Sequence, residues 1–359
     1  MLLGGAAPQR CDKVHSFNGG LAAELLESIL KPPRKLDAFS NFPKMKFRRR
    51  LLAWYDLHRR DLPWRSSRDP YRVWLSEIML QQTRVAAVIA HYHEFLRRFP
   101  TVIKLAAARE SSVLAAWSGL GYYRRARMMH AAAKVIVREH GGNIPASAKA
   151  LLALPGVGRY TAAAIASIAF GEPVAVVDGN VERVLQRLFA KRVAGEELWQ
   201  AANDLLDAKR SGDFNQAMME LGATVCTPRA PGCLTCPVVE LCATRGEMAG
   251  AAKARQKKRE IHYALDCSDG QVFLVQRSRD ASLMAGMWEL PEIAHPGDRA
   301  QPDFIVRHSI TVTNYKVHVW RRTAPDLALG KWIPLRRMRK LAMTGLTRKI
   351  LRRSPSPVV

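Results

Sequence analysis

The sequence predicts two folded units: an all-α unit with a cysteine-rich loop, then a smaller α+β unit. Three observations carry that expectation. From Phe47 to about Glu247 apolar residues recur at helical spacing, and nothing alternates as a strand should. Four of the six cysteines, Cys226, Cys233, Cys236 and Cys242, fall within seventeen residues. After the small and basic AGAAKARQKKR the period becomes strand-like, in IHYALDCS, QVFLVQR and DFIVRHSITVTNYKVHVWR.

Taken in order, residues 1–44 read as an extension. Gly and Pro are frequent there, only 21–30 has a short amphipathic pattern, and KPPRK stops it. Either the extension is a disordered arm or translation starts at Met45, where convincing globular pattern begins; the second is preferred. Residues 45–247 form the helical unit, with helices expected at 47–58, 71–99, 102–108, 111–117, 122–140, 148–154, 158–170, 180–189, 196–208 and 214–222. Residues 248–259 are a basic linker and 260–350 the α+β unit. That unit ends on RRMRKLAMTGLTRKILRR, read as a solvated basic amphipathic helix, and 351–359 is a tail.

A chain of 359 residues holds two ordinary domains. Its 56 Lys and Arg against 31 Asp and Glu leave a formal charge of +25, which implies a polyanionic partner, most simply nucleic acid. A membrane surface is the competing reading, but no apolar run approaches the length of a spanning helix. The start MLLGGAAPQR lacks the charged and apolar regions of a signal peptide, so a cytoplasmic location is expected.

The stretch LLALPGVGRYTAAAIASIAFGEPVAVVDGN, from Leu151 to Asn180, organises the chain. Pro155 and Gly156 stop one helix, and Ala162, Ile165, Ala166 and Ala169 resume helical spacing. Between them Gly156, Val157 and Gly158 leave free amides at a helix N-terminus, a ready phosphate site. Alone, such a turn is as readily an ordinary helix corner. Asp178 follows about twenty residues later. The cysteine cluster favours metal ligation over disulfides, and spacing by itself leaves zinc and an iron–sulfur cluster near parity. Cys11 and Cys267 stand apart as free thiols.

Five blocks together resemble the MutY-type adenine DNA glycosylases within the helix-hairpin-helix superfamily. They are LPWR (62–65), WLSEIMLQQTRV (74–85), GLGYYRRAR (119–127), LPGVGRYTA with VVDGNVERVLQR, and the cysteine loop. The resemblance implies a helix-hairpin-helix glycosylase domain with a 4Fe–4S loop on Cys226, Cys233, Cys236 and Cys242. It also implies a nudix-like C-terminal domain for lesion recognition. No Gly-x5-Glu-x7-Arg-Glu-x-x-Glu-Glu run is present, so nudix hydrolysis is not expected.

Glu77 lies beside an apolar stripe of Trp74, Ile78, Val85 and Ile89, where partial desolvation raises a carboxyl pKa. The bland alternative is a surface glutamate paired with Arg84. By resemblance Glu77 protonates N7 of a flipped adenine. Asp178, an N-cap by position, would stabilise the oxocarbenium-like sugar as an ionised carboxylate, with Asn180 in support. Tyr160 stands where endonuclease III-type enzymes carry a Schiff-base lysine, so base removal without efficient strand cleavage is implied. Glu182, at a spot where some relatives have a lysine, points the same way.

Gln82 and Tyr122 match the family's wedge positions beside the orphaned guanine lesion. Leu62, Trp64 and Arg65 match its adenine pocket, with Glu220 beside them, although Leu62 and Trp64 also suit an ordinary core. Where many relatives read Phe-Ser-His, this chain reads Ile310-Thr311-Val312 and then Thr313-Asn314. Thr311 and Asn314 are the residues expected to read the lesion, against the alternative of a plain packed hairpin. The function implied is excision of adenine mispaired with 8-oxoguanine or guanine in double-stranded DNA, by a monomer, in a bacterial nucleoid. Its rivals are a thymine-opposite-guanine glycosylase, a non-catalytic iron–sulfur DNA sensor and a nudix hydrolase.

Overall fold

The computed structural model describes residues 41–248 and 256–354, apart from 282, 298–299, 311–312 and 326–329. Residues 1–40, Cys11 among them, most of the linker (249–255), Thr311 and Val312 of the hairpin, and most of the tail lie outside the described residues. Among those described, no helix is long and apolar enough to cross a membrane.

The helical unit runs through α1 (Lys44–His58), α2 (Pro70–Leu80), α3 (Val85–Arg98), α4 (Val102–Ala106), α5 (Glu110–Ala116) and α6 (Arg124–His140). It continues with α7 (Ala148–Leu151), α8 (Arg159–Phe170), α9 (Gly179–Leu188), α10 (Gly195–Leu205) and α11 (Ser211–Thr224). Two cores hold it. One gathers α2 to α8 around Trp74, Trp117 and Phe95, and the other joins α1 to α9, α10 and α11 around Phe47, Leu185 and Phe214. The 162–164 alanines of α8 are buried, which lets neighbouring helices approach closely. Ordered packing starts before Met45: Phe42 meets Phe47 and Phe189 edge-on at 5.7 and 5.1 Å.

The expected single helix 71–99 is two. It breaks between Leu80 and Val85, and Gln82 takes a left-handed φ of 56°. Val88, not Ile89, then faces the core; Ile89 is exposed and Val85 half-buried. The break is stabilised from about 45 residues away in the chain. Arg125 donates through Nη1 to the carbonyls of Ile78 (2.7 Å) and Met79 (3.0 Å), closing the end of α2.

The second unit has two sheets. Its strands are β1 (Lys257–Ala264), β2 (Cys267–Ser268), β3 (Gln271–Gln276), β4 (Trp288–Glu289), β5 (Glu292–Ile293), β6 (Phe304–Ile310), β7 (Thr313–Trp320) and β8 (Gly330–Pro334). One sheet has the order β5-β1-β7-β6, with β1 parallel to β7; in the other β3 pairs with β2, β4 and β8. Three residues of the expected linker, 257–259, are strand, because β1 pairs with β7 from Lys257↔Thr313 onward.

The expected terminal helix is also interrupted. A 3-10 turn (Leu335–Lys340) precedes α12 (Gly345–Arg353), and Thr344 caps α12 by accepting from the Thr347 amide at 3.2 Å. Nor is that helix merely solvated. Leu346, Ile350 and Leu351 are buried against Val306, Val317 and Val319 of the sheet. The two units touch: Tyr123 Oη donates to Met343 O at 3.1 Å, Arg127 bonds Ala285 O, and Met287 joins the first helical core.

Candidate active site

Glu77 projects from α2 and Tyr160 from the first turn of α8, two helices packed against each other. Glu77 is 6% exposed, and Tyr160 Oη donates to its Oε2 at 2.5 Å. Burial pushes the Glu77 carboxyl up to about 7; Asp178 adds to the rise, while the Tyr160 hydrogen bond and Arg65 oppose it. Near neutral pH this side chain therefore holds a proton and can release it. The Tyr160 phenol is pushed well above its usual range by burial and by Glu77 and Asp178, so it stays a neutral donor. The alternative of an exposed Glu77 paired with Arg84 does not hold.

Asp178 is the N-cap of α9. Its Oδ1 accepts from the amides of Asn180 (2.9 Å) and Val181 (2.8 Å), and its Oδ2 from Asn180 Nδ2 at 2.8 Å. Capping fixes the carboxylate, and the remaining lone pairs stay available. Asn180 is held in turn by Arg183, whose Nη2 donates to Asn180 Oδ1 (2.8 Å) and Gly222 O (2.6 Å) and whose Nε donates to Cys226 O (2.7 Å). Arg183 is absent from the sequence-derived site; its position three residues after Asn180, on the next helical turn, is the one signal that points to it. Glu182 accepts from Gln186 at 3.0 Å and takes no part in this network.

Leu62 and Trp64 are buried in the first core, with Trp64 edge-on to Tyr92 at 5.5 Å, so both are packing residues first. Arg65 is different. Its Nη2 donates to Glu220 Oε2 at 2.8 Å, and Arg60 makes three further bonds to the same carboxylate, from Nε (2.7 Å) and its amide (3.1 Å) to Oε1 and from Nη2 (2.8 Å) to Oε2. Burial pushes Glu220 up, but the hydrogen bonds from Arg60 and Arg65 hold it at about 2. Glu220 is thus a fixed anion and Arg65 a fixed cation near Glu77. Arg60 is a second residue that sequence pattern does not reveal.

Gln82 and Tyr122 stand on neighbouring turns, both exposed, and both have positive φ, 56° and 46°. One guanidinium holds both turns. Arg125 donates through Nη1 to Gln81 O (2.5 Å), and through Nη2 to Thr83 Oγ1 (3.1 Å), Leu120 O (3.1 Å) and Gly121 O (3.2 Å). Its Cζ lies 5.5 Å from the centre of the Tyr122 ring. Burial lowers its pKa to about 10, and it has no carboxylate partner among the described residues. Nothing in the block GLGYYRRAR sets this arginine apart from its two neighbours, Arg124 and Arg127.

The hairpin turn is exposed at Gly156 and Gly158, and Gly158 caps α8 with no side-chain acceptor. Its two glycines are required differently. At Gly156 φ is +73°, and a Cβ would lie 2.3 Å from Met128 Cβ, so the reason is internal. At Gly158 a Cβ would meet nothing within 4 Å, which leaves that face open. Val157 is buried and its amide donates to Leu154 O at 3.2 Å, so this amide is not free as expected.

Cys226, Cys236 and Cys242 pack against the second helical core, and the other three thiols all act electrostatically on Cys236. Arg187 Nη1 donates to Cys226 Sγ at 3.3 Å and the Arg245 amide to Cys242 Sγ at 3.5 Å, while Cys242 Sγ donates to Arg187 O at 3.4 Å. Among the described residues no three His, Cys, Asp or Glu side chains sit close enough to hold one metal ion. Four cysteine thiols on one loop are a donor set that suits a zinc ion or an iron–sulfur cluster alike. Cys267 is an exposed free thiol.

In the second unit Asn314 is fastened at both ends: Ser309 Oγ donates to its Oδ1 at 2.6 Å, and its Nδ2 donates to Gln256 Oε1 at 2.5 Å. Thr311, its expected companion, is outside the described residues.

Comparison with known proteins identifies the family. Residues 75–205 match the HhH-GPD superfamily of base excision DNA repair proteins. An adenine DNA glycosylase of Rattus norvegicus is 49% identical over 240 residues, 62% of this chain and 46% of the relative. One of Mus musculus is 40% identical over 344 residues, 77% of this chain and 66% of the relative. The chain thus spans from about half to about two thirds of the curated relatives it matches. Among solved structures, a thermostable thymine-DNA glycosylase is 33% identical with a TM-score of 0.54, covering 56% of this chain and 96% of that one. The chain belongs to the HhH-GPD superfamily of base excision DNA repair proteins.

Proposed function

We propose that this protein hydrolyses the N-glycosidic bond of adenine mispaired with 8-oxoguanine or guanine in double-stranded DNA. One observation carries the reading: a buried, proton-holding Glu77 and a capped Asp178 share one site. Glu77 gives its proton to adenine N7 as the base leaves. Asp178 stabilises the positive charge that builds on the sugar, with Asn180 keeping its second oxygen oriented. Water completes the hydrolysis. Tyr160 positions Glu77 and has no amine to form a Schiff base, so strand cleavage does not follow.

Gln82 and Tyr122 fill the stack that the flipped base vacates, held in strained backbone by Arg125. Arg65 lines the adenine pocket, and Glu220 fixes its guanidinium. Phosphates meet the exposed Gly156–Gly158 turn. The four cysteines hold a 4Fe–4S cluster that keeps their loop in shape, and Arg183 joins that loop to Asn180. The nudix-like unit reads the lesion through the Ile310–Thr313 hairpin, with Thr311 as the reader and Asn314 bracing the hairpin base.

A thymine-opposite-guanine glycosylase is the second reading, favoured by the structural likeness to a thymine-DNA glycosylase. Adenine is preferred because an adenine DNA glycosylase of Mus musculus matches 77% of this chain, more than the helical unit holds. Glu77→Gln and Asp178→Asn test the reading. Each should abolish adenine release while leaving duplex binding largely intact, since phosphate contacts dominate affinity. Release near the wild-type rate in either variant contradicts it.

A further inference from the structure

Away from the active site, β6, β7 and α12 enclose a recess of about 380 Å³ lined by Ile305, Arg307, Lys316, Lys349 and Arg353. Register explains its make-up. Arg307 is the cross-strand partner of Lys316, and Ile305 that of His318, so these side chains share one face of the sheet. That face is turned away from the core, which takes Val306, Val317 and Val319. Lys349 and Arg353 lie one turn apart on α12 at the edge of β6.

The charges are poorly compensated. Lys316 Nζ pairs with Glu260 Oε1 at 3.2 Å, and Glu260 also serves His318. Arg307, Lys349 and Arg353 have no carboxylate partner among the described residues; the nearest fixed bond is Lys349 Nζ to Arg307 O at 2.7 Å. Four cations around one small recess repel each other, and an anion with several oxygens relieves that repulsion. Arg adds a planar fork suited to phosphate.

We propose that this recess binds the phosphodiester backbone of duplex DNA flanking the mispair, as an anchor separate from the helical hairpin. The inference rests on the DNA-repair reading above. The lining favours backbone over a free nucleotide: it has no aromatic ring to stack a base and no amide to read one. The same strands lead to the lesion-reading hairpin. Arg307 lies three residues before Ile310, about 10 Å along β6, or about three nucleotides at 3.4 Å each.

The test is the salt dependence of affinity for an undamaged duplex, measured by fluorescence anisotropy on the whole chain. Arg307→Gln/Lys349→Gln removes two phosphate partners, so the slope of log K against log salt should flatten by about 1.8, at about 0.9 for each contact. Arg353→Gln alone should flatten it by about 0.9. Lys331→Gln/Arg336→Gln, exposed cations elsewhere on the same unit, should leave it unchanged. Melting curves confirm that each variant is folded. An unchanged slope in both recess variants overturns the proposal. So does saturable binding of a deoxynucleoside monophosphate that the double variant loses while its DNA slope stays wild-type. Because the duplex is undamaged, the result does not depend on adenine release. A wild type that releases no adenine defeats the glycosylase reading and leaves the recess result standing.

Discussion

The Tyr160 hydroxyl donates to Glu77 Oε2 at 2.5 Å, across two packed helices and inside a core. This bond favours the carboxylate, while burial favours the acid, and the balance falls at about 7. The phenol thus keeps a buried carboxyl titrating in the range where a proton donor is useful.

Tyr160→Phe removes the bond and leaves the burial. The Glu77 pKa should then rise by about 1–2 units, the worth of a hydrogen bond to a charged group. In wild type base release should fall as pH rises through about 7, when the acid form is lost. In the variant that alkaline limb should lie higher. Single-turnover rates across about pH 5.5–9 check it, and a limb that stays put or moves down removes Tyr160 from this role.

Glu77 and Glu220 should also leave opposite marks on stability. The folded-state pKa of Glu77 is raised from 4.5 to about 7, so its contribution is complete below pH 4.5 and lost as pH rises through 7. That of Glu220 is lowered from 4.5 to about 2, so its contribution is present above pH 4.5 and lost as pH falls toward 2. Each amounts to about 3 kcal/mol in order of magnitude. At pH 7 Glu220→Gln should cost about 3 kcal/mol, because Arg65 and Arg60 lose their counter-charge. Denaturant melts at about pH 4 and pH 7 measure the first, and Glu220→Gln against wild type at pH 7 measures the second; a Glu220→Gln protein as stable as wild type at neutral pH contradicts the account.

Much of this site is legible in the amino-acid sequence. The apolar stripe around Glu77 implies desolvation, and Asp178 at a helix start implies a cap; both follow from local pattern. What escapes depends on distant partners. The break after Leu80 is held by Arg125, and no periodicity in 71–99 reports a guanidinium that far along the chain. The final helix reads as solvated because its basic residues dominate the pattern, while its apolar side fills the sheet core. Arg183 and Arg187 tie the cysteine loop to α9 through carbonyls, which carry no sequence signature. Asn314 reads as a lesion contact, and its bond to Gln256 escapes because Gln256 lies in another strand's approach.

The hairpin glycines should separate folding from binding. Gly156→Ala places a methyl against Met128 at a positive φ and should destabilise by about 2–4 kcal/mol. Gly158→Ala meets open space at φ −93° and should melt within about 1 kcal/mol of wild type, yet bind duplex more weakly. Equal effects of the two on melting, or full DNA affinity in Gly158→Ala, would remove the open face from the interface.

Anaerobically purified protein should be brown and carry about four irons per chain, as four thiolates on a cubane require. Cys236→Ser should lose the colour and weaken DNA binding more than it lowers helix content. One zinc and no iron would overturn the cofactor and leave the glycosylase reading untouched.

The most direct measurement is base release from three duplexes, with A opposite 8-oxoguanine, A opposite G, and T opposite G. Adenine should be released from the first two, with little strand cleavage before alkali, and no thymine from the third. Thymine release, or no release from any duplex by folded, iron-loaded protein, would contradict the assignment.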